Sequence, residues 1–286
     1  MGSRNAKRVK NLHGMEQILI DLKPKRCDSF VYSYKDLDVT NLVKYIDKRK
    51  KKDKDITFFH AFVYAMGKVI YNRNRLNRFV QNRHVFEHND VVISFVAKVA
   101  FDEKSEEIMI MVPINEDDTL DTVSKYIIDK IDGIRNKKVV KEGANDAIDF
   151  LGKLPNIFRV PLIGLLKFCD KKGILPKSLV QDNLYYSSMI VSNLGSLKSN
   201  AIHHNITDFG TCSSLITMGM IENREIIDND GKKELKKICP WGMAFDERVA
   251  DGFYLIKSIE MLQYLFDNPE LLEEKANEKI ELPKKR

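Results

Sequence analysis

Apolar and polar positions along the chain predict an alternation of strands and helices. Period-two alternation or short apolar runs predict strands over residues 17–22, 30–37, 84–87, 91–100, 108–114, 185–191, 213–220 and 235–245. Helical spacing appears after Asp38 or Thr40, with Leu42, Val43 and Ile46 on one face. It recurs over 58–72, opened by Thr57, where Phe62, Val63, Met66, Val69 and Ile70 form a broad apolar side. Thr119 caps a third helix running to about residue 137. A fourth carries Leu255, Ile259, Leu262, Tyr264, Leu265 and Phe266, and ends at Asn268-Pro269. His60 falls within the second helix and reads as a core or boundary histidine.

Between these elements, residues 74–83 read as an arginine-rich polar loop. Ile226-Ile227-Asp228-Asn229-Asp230-Gly231 reads as a hairpin whose turn is Asp230-Gly231 or Asn229-Asp230-Gly231. Residues 147–173 are unusually apolar and read as two short helices interrupted by Pro155 and Pro161. We expect that segment, part of a helical insertion over 138–182, to pack into the core. A lid over a substrate entrance ranks second and a membrane-surface helix third. The charged tail after Leu272 is expected to fray.

Composition narrows the class. At 286 residues, with 43% hydrophobic and 31% charged positions, the chain is long and apolar enough for a full globular core. No run is long enough to span a bilayer, and the basic N-terminus lacks the apolar segment of a signal peptide. A cytoplasmic protein is therefore expected. Cys27, Cys169, Cys212 and Cys239 show no paired or zinc-like spacing, so reduced thiols and no metal are expected. The net charge of +6 sits partly in residues 48–52 and 283–286, without interleaved aromatic residues; these read as solvated ends, not a nucleic-acid surface.

The candidate chemistry gathers in Phe245-Asp246-Glu247-Arg248-Val249-Ala250-Asp251-Gly252-Phe253-Tyr254, at a strand-to-helix junction. On local sequence alone this is a charged turn in which Asp251 caps a helix. It also resembles the Asp-His-Arg-x-x-Asp-Gly signature of dihydrolipoyl acyltransferases, the core enzymes of 2-oxoacid dehydrogenase complexes. It is similar as well to the His-x-x-x-Asp-Gly signature of chloramphenicol acetyltransferase. Ser192-Asn193-Leu194-Gly195-Ser196 resembles the Ile-Ser-x-x-Gly segment of the same acyltransferases. The resemblance runs from about residue 21 to 272 and departs at one key point, where Glu247 stands in place of the catalytic histidine.

That resemblance implies an α/β fold, a chloramphenicol acetyltransferase-like two-layer sandwich with a large mixed sheet covered by helices. It implies a single catalytic domain over 1–286, without the lipoyl or subunit-binding domains. The implied reaction moves an acyl group between coenzyme A and a small thiol or hydroxyl acceptor. Ser192 takes the position of the oxyanion donor, with Asn193 and Gly195 shaping its turn. Glu247 takes that of the general base, with Arg248, Asp251 and Gly252 supporting it. Asp251 is expected to order the loop, with Arg248, Arg8 and Arg26 open as its partner, and Gly252 to permit a tight turn. His203 or His204 is the alternative base, and a catalytically inactive acyl-CoA-binding or scaffolding subunit is the alternative function. The resemblance also implies a homotrimer in which Ser192 of one copy faces Glu247 of the next. A lipoyl-domain partner on another chain stays open.

Overall fold

The computed structural model describes residues 5–51, 55–98, 107–136, 150–227 and 230–283. Among the described residues ten strands form two sheets. A small sheet pairs β1 (Ala6–Arg8) with β4 (His84–His88) and β4 with β3 (Arg78–Gln81), all antiparallel. The large sheet has the order β2-β10-β8-β7-β5-β6. Its members are β2 (Phe30–Asp38), β5 (Val91–Lys98), β6 (Glu107–Ile114), β7 (Met189–Asn193), β8 (Ser214–Met218) and β10 (Lys233–Asp246). The strand β9 (Glu222–Ile227) pairs with the first half of β10. The sheet is mixed: β7 runs parallel to both β5 and β8, and the other pairs are antiparallel.

Successive strand residues face opposite sides, and the large sheet shows what each side meets. Met189 and Val191, Ile216 and Met218, and Trp241, Met243 and Phe245 all enter one large core. That core is closed by α2 (Thr40–Lys50), α3 (Phe58–Asn72), α4 (Leu120–Arg135) and, past Val249, by a final helix. The intervening residues Ile190 and Leu215 meet Ile206 and Cys212 in a small cluster under the loop that crosses the opposite face. Helix α3 is buried nearly throughout, and its Lys68 side chain is fully enclosed. There it donates to the Lys275 carbonyl at 2.7 Å and pairs with Glu274 at 3.3 Å. Burial pulls the Lys68 pKa down while Glu274 pushes it back up.

Several expectations change. Residues 17–22 belong to a helix, α1 (Gly14–Leu22), not a strand, because Glu16 takes the His13 N–H at 3.1 Å and closes a first turn. Part of the loop expected over 74–83 is β3, where Phe79 inserts beneath the small sheet and pairs with Phe86. The tail does not fray over 273–283: Ala276 N–H reaches the Asp118 carbonyl at 2.8 Å, Ile280 N–H reaches Asn72 at 2.9 Å, and Leu272, Ala276 and Ile280 are buried. Pro161 does not break its segment. After a single helical turn at 150–153, one helix, α5 (Asn156–Lys172), runs through it. Pro161 lies on the exposed side, where the Ile157 carbonyl it leaves without an N–H can meet water. Residues 137–149 lie outside the described residues, so the expected insertion over 138–182 is seen from 150 onward. It continues through α6 (Lys177–Val180). Within α5 only Asp170 is buried, so this segment does not pack into the core.

His60 carries a pH-dependent part of the stability. Thr57 caps α3 by accepting the His60 N–H at 3.2 Å, and the ring Nδ1 accepts the Thr57 N–H in return. Desolvation lowers the His60 pKa to about 4. The unfolded chain, near ~6.5, therefore binds more protons than the folded one between those values. Stability held above that window is lost as pH falls through it, by up to about 3 kcal/mol. Denaturant midpoints at pH 7 and pH 4.5 are expected to differ less in His60→Gln than in the wild type.

Candidate functional site

The last helix, α7 (Gly252–Asp267), and the end of β10 frame the signature stretch. Asp246 pairs with Phe30 in register, so the residues before β2 meet those after β10. That register assembles a buried charge cluster. Arg248 grips Asp246 with two nitrogens, Nε to Oδ1 at 2.8 Å and Nη2 to Oδ2 at 2.6 Å, and its Nη1 donates to the Lys23 carbonyl at 3.0 Å. Arg26 lies 3.9 Å from Asp246 and donates to the carbonyls of Thr207 (2.8 Å), Phe209 (3.3 Å) and Gly210 (2.9 Å). All three charged side chains are almost fully buried. Desolvation lowers the Arg26 pKa, and Asp246 opposes that shift.

The carboxylate that Arg248 and Arg26 hold is thus Asp246, not Asp251. Arg8 lies elsewhere, against His84. Asp251 is exposed and accepts the Tyr254 N–H at 2.7 Å, as the N-cap of α7. Gly252 starts that helix outside the left-handed region, with open space around its Cα, so it does not form a special turn here. Glu247 donates its own N–H to the Ser29 carbonyl at 3.0 Å, which fixes the backbone. Its side chain forms an ion pair with Lys23 and is 29% exposed. It is therefore engaged and half-open, not sealed in an apolar channel within one chain.

Ser192 lies next to the end of β7, directly opposite Thr217 of β8. It is half-buried, and no other described residue hydrogen-bonds its hydroxyl. Asn193 follows and turns the chain, accepting the Ser196 N–H at 3.3 Å. Gly195 is required by close approach: a Cβ there would stand 2.7 Å from the Gly219 carbonyl oxygen. The chain then crosses the open face of the sheet. Ile202 N–H reaches Thr217 Oγ1 at 3.0 Å, and a Cβ on Gly242 would stand 2.4 Å from the Ile202 carbonyl. His203 packs its ring edge-on against Tyr32 (5.6 Å between centroids) and Tyr34 (6.4 Å), and His204 Nδ1 contacts the Asn205 carbonyl at 2.7 Å. Both histidines are exposed.

Register sets the distances between these groups. Ser192 pairs with Thr217 and Thr217 with Gly242, and Glu247 lies five residues further, one past the end of β10. At strand geometry that is roughly 17 Å along the sheet and 10 Å across it. Tyr34, against which His203 packs, pairs with Gly242 and so lies three strand spacings, about 14 Å, from Ser192. A single chain therefore does not bring Glu247 to Ser192, and among the described residues neither histidine hydrogen-bonds it. A cavity of about 190 Å³ beside Arg248 is lined by Arg26, Gln81, Arg83, Asp170 and Asp208, and not by Ser192 or Glu247. Among the described residues no group of three His, Cys, Asp or Glu side chains is placed to hold a metal ion.

The Lys23 contact and the Asp246–Arg26 pairing are the parts that reading the sequence missed. Their signal lay in the antiparallel match of β2 to the end of β10, which places 23–26 beside 246–248.

The fold is the mixed α/β sandwich of chloramphenicol acetyltransferase-like proteins. A probable dihydrolipoamide acetyltransferase from Listeria monocytogenes 4b F2365 superposes with a TM-score of 0.60 at 14% identity, covering 92% of this chain and 95% of the other. The Azotobacter vinelandii dihydrolipoamide acetyltransferase gives 0.61 at 11% identity, covering 92% and 93%. A chloramphenicol acetyltransferase gives 0.56 at 11% identity, covering 91% and 99%. No family model matches the chain, and no curated protein matches it in sequence.

Proposed function

We propose that the protein is an acyltransferase that moves an acyl group between acyl-CoA and a small thiol or hydroxyl acceptor. The observation that carries the reading is the Ser192 hydroxyl, unengaged beside a strand end, on the fold of known acyltransferases. For the Azotobacter enzyme the residues studied for a role in catalysis are a serine, a histidine and an asparagine. The last two are four positions apart, which is the spacing of Glu247 and Asp251.

In this reading the Glu247 carboxylate takes the proton from the acceptor X–H as X attacks the thioester carbonyl. Ser192 Oγ–H donates to the oxyanion of the tetrahedral intermediate. Collapse breaks the C–S bond, and the departing thiolate takes the proton back from Glu247 to give free coenzyme A and the acylated acceptor. Asn193 and Gly195 hold the Ser192 turn, and Asp246, Arg248 and Asp251 hold the Glu247 loop. The separation of Ser192 from Glu247 within one chain supports a site completed between copies in a homotrimer, with Lys23 yielding its contact to the acceptor.

The test is release of free thiol from acetyl-CoA in the presence of dithiol and alcohol acceptors. Ser192→Ala is expected to lower turnover about 10²- to 10³-fold, the usual cost of losing one oxyanion donor. Turnover that is unchanged in that variant removes Ser192 from the mechanism. A wild type inactive with every acceptor removes the enzyme reading itself.

A further inference from the structure

Helix α5 is apolar on its outward side, unlike an ordinary surface helix of a globular protein. At 3.6 residues per turn, Ile157, Val160, Pro161, Gly164, Leu165 and Phe168 fall on one side of it. That side faces outward: Ile157, Val160, Leu165 and Phe168 are each between 55% and 75% exposed, and Phe158 beside them is 64% exposed. The helix's one carboxylate turns the other way. Asp170 is buried, where its Oδ2 accepts the Gly210 N–H at 2.9 Å and its Oδ1 accepts the Tyr186 hydroxyl at 2.6 Å. Isolated exposed apolar residues are ordinary, but a contiguous apolar arc on the outward side of a 17-residue helix is not.

Charge identifies what covers it. From Phe150 to Lys177 the basic residues are Lys153, Arg159, Lys167, Lys171, Lys172 and Lys177, and the only acid is the inward-turned Asp170. An apolar stripe flanked by Lys167, Lys171 and Lys172, with no acid on the helix's outward side, matches the pattern of a helix lying in the headgroup region of an anionic bilayer. A second copy of the chain, docked face to face about a two-fold axis, would set these basic borders against each other. We infer that α5 docks the protein on an anionic lipid surface, with Ile157, Leu165 and Phe168 entering the acyl boundary and Lys171 and Lys172 meeting the headgroups. This inference does not depend on the proposed catalytic activity.

The experiment is co-sedimentation of the full chain with vesicles of phosphatidylcholine alone and of phosphatidylcholine with phosphatidylglycerol. Binding is expected only to the anionic vesicles and to weaken in high salt. Lys171→Gln with Lys172→Gln is expected to weaken it about thirtyfold, from the usual contribution of two surface lysines. Leu165→Glu is expected to abolish it while leaving the oligomeric state, measured by light scattering, as in the wild type. The inference is overturned if anionic vesicles are not bound, or if binding survives Leu165→Glu, since the basic ends of the chain then explain it. It is also overturned if Leu165→Glu dissociates an oligomer, since a second copy then covers the face.

Discussion

Asp246→Ala is expected to cost the fold about 3–5 kcal/mol, the usual result of removing one partner from a buried ion pair. Asp246 has no exposed surface, and both oxygens are taken by Arg248. Removing it leaves the Arg248 guanidinium buried with only the Lys23 carbonyl, and Arg26 with only its backbone acceptors. The loss is therefore dominated by uncompensated charge more than by lost attraction. A second variant separates the two. Asp246→Leu combined with Arg248→Met removes both charges and fills similar volume, so it is expected to be more stable than Asp246→Ala alone. Urea denaturation of the three proteins at pH 7 measures this. A cost below about 1 kcal/mol for Asp246→Ala, the range of exposed ion pairs, would mean that water reaches the cluster.

What could be read in advance follows from how local each signal is. Helix α3 and its Thr57 cap, the β5–β6 pair and the long last strand carry their information within a few residues of themselves, and they match. The Gly231 turn also matches at its described end, with φ of +77°. Helix α1 departs from the expected strand although Gln17-Ile18-Leu19-Ile20 has strand-like content. What holds it helical is the Glu16 cap together with ion pairs from Arg75 to Glu16 and from Arg83 to Asp21, both supplied from far along the chain. The docked tail depends likewise on Asp118, Asn72 and Lys68, which composition cannot reveal. Within the signature stretch, the family resemblance leads us to expect the ion pair at Asp251, whereas the structure forms it at Asp246. Asp251 lies beyond the strand and is solvated, whereas Asp246 is the last strand residue and is sealed under the 207–210 loop. For α5, apolar density alone left core, lid and membrane surface open. The direction in which the helix turns its faces excludes the core.

Glu247→Gln is expected to lower acyl transfer about 10²- to 10⁴-fold, the range for losing a general base. The substitution keeps the side chain's shape and its hydrogen-bonding carbonyl, and removes the proton acceptor. It also ends the ion pair with Lys23, but both partners are partly exposed, so the stability cost stays below about 1 kcal/mol. A lost turnover with an unchanged denaturation midpoint therefore reports chemistry, not unfolding. Affinity for coenzyme A, measured by calorimetry, is expected to stay near the wild-type value, because a base acts on the acceptor proton and not on the coenzyme. Lys23→Met provides the control for a merely structural pairing: it breaks the same ion pair while leaving the carboxylate in place, so it is expected to keep most of the activity. If Lys23→Met is as inactive as Glu247→Gln, the pair acts as a structural unit. If Glu247→Gln is fully active, the base lies elsewhere, and replacing His203 and His204 with Asn decides whether it is one of them.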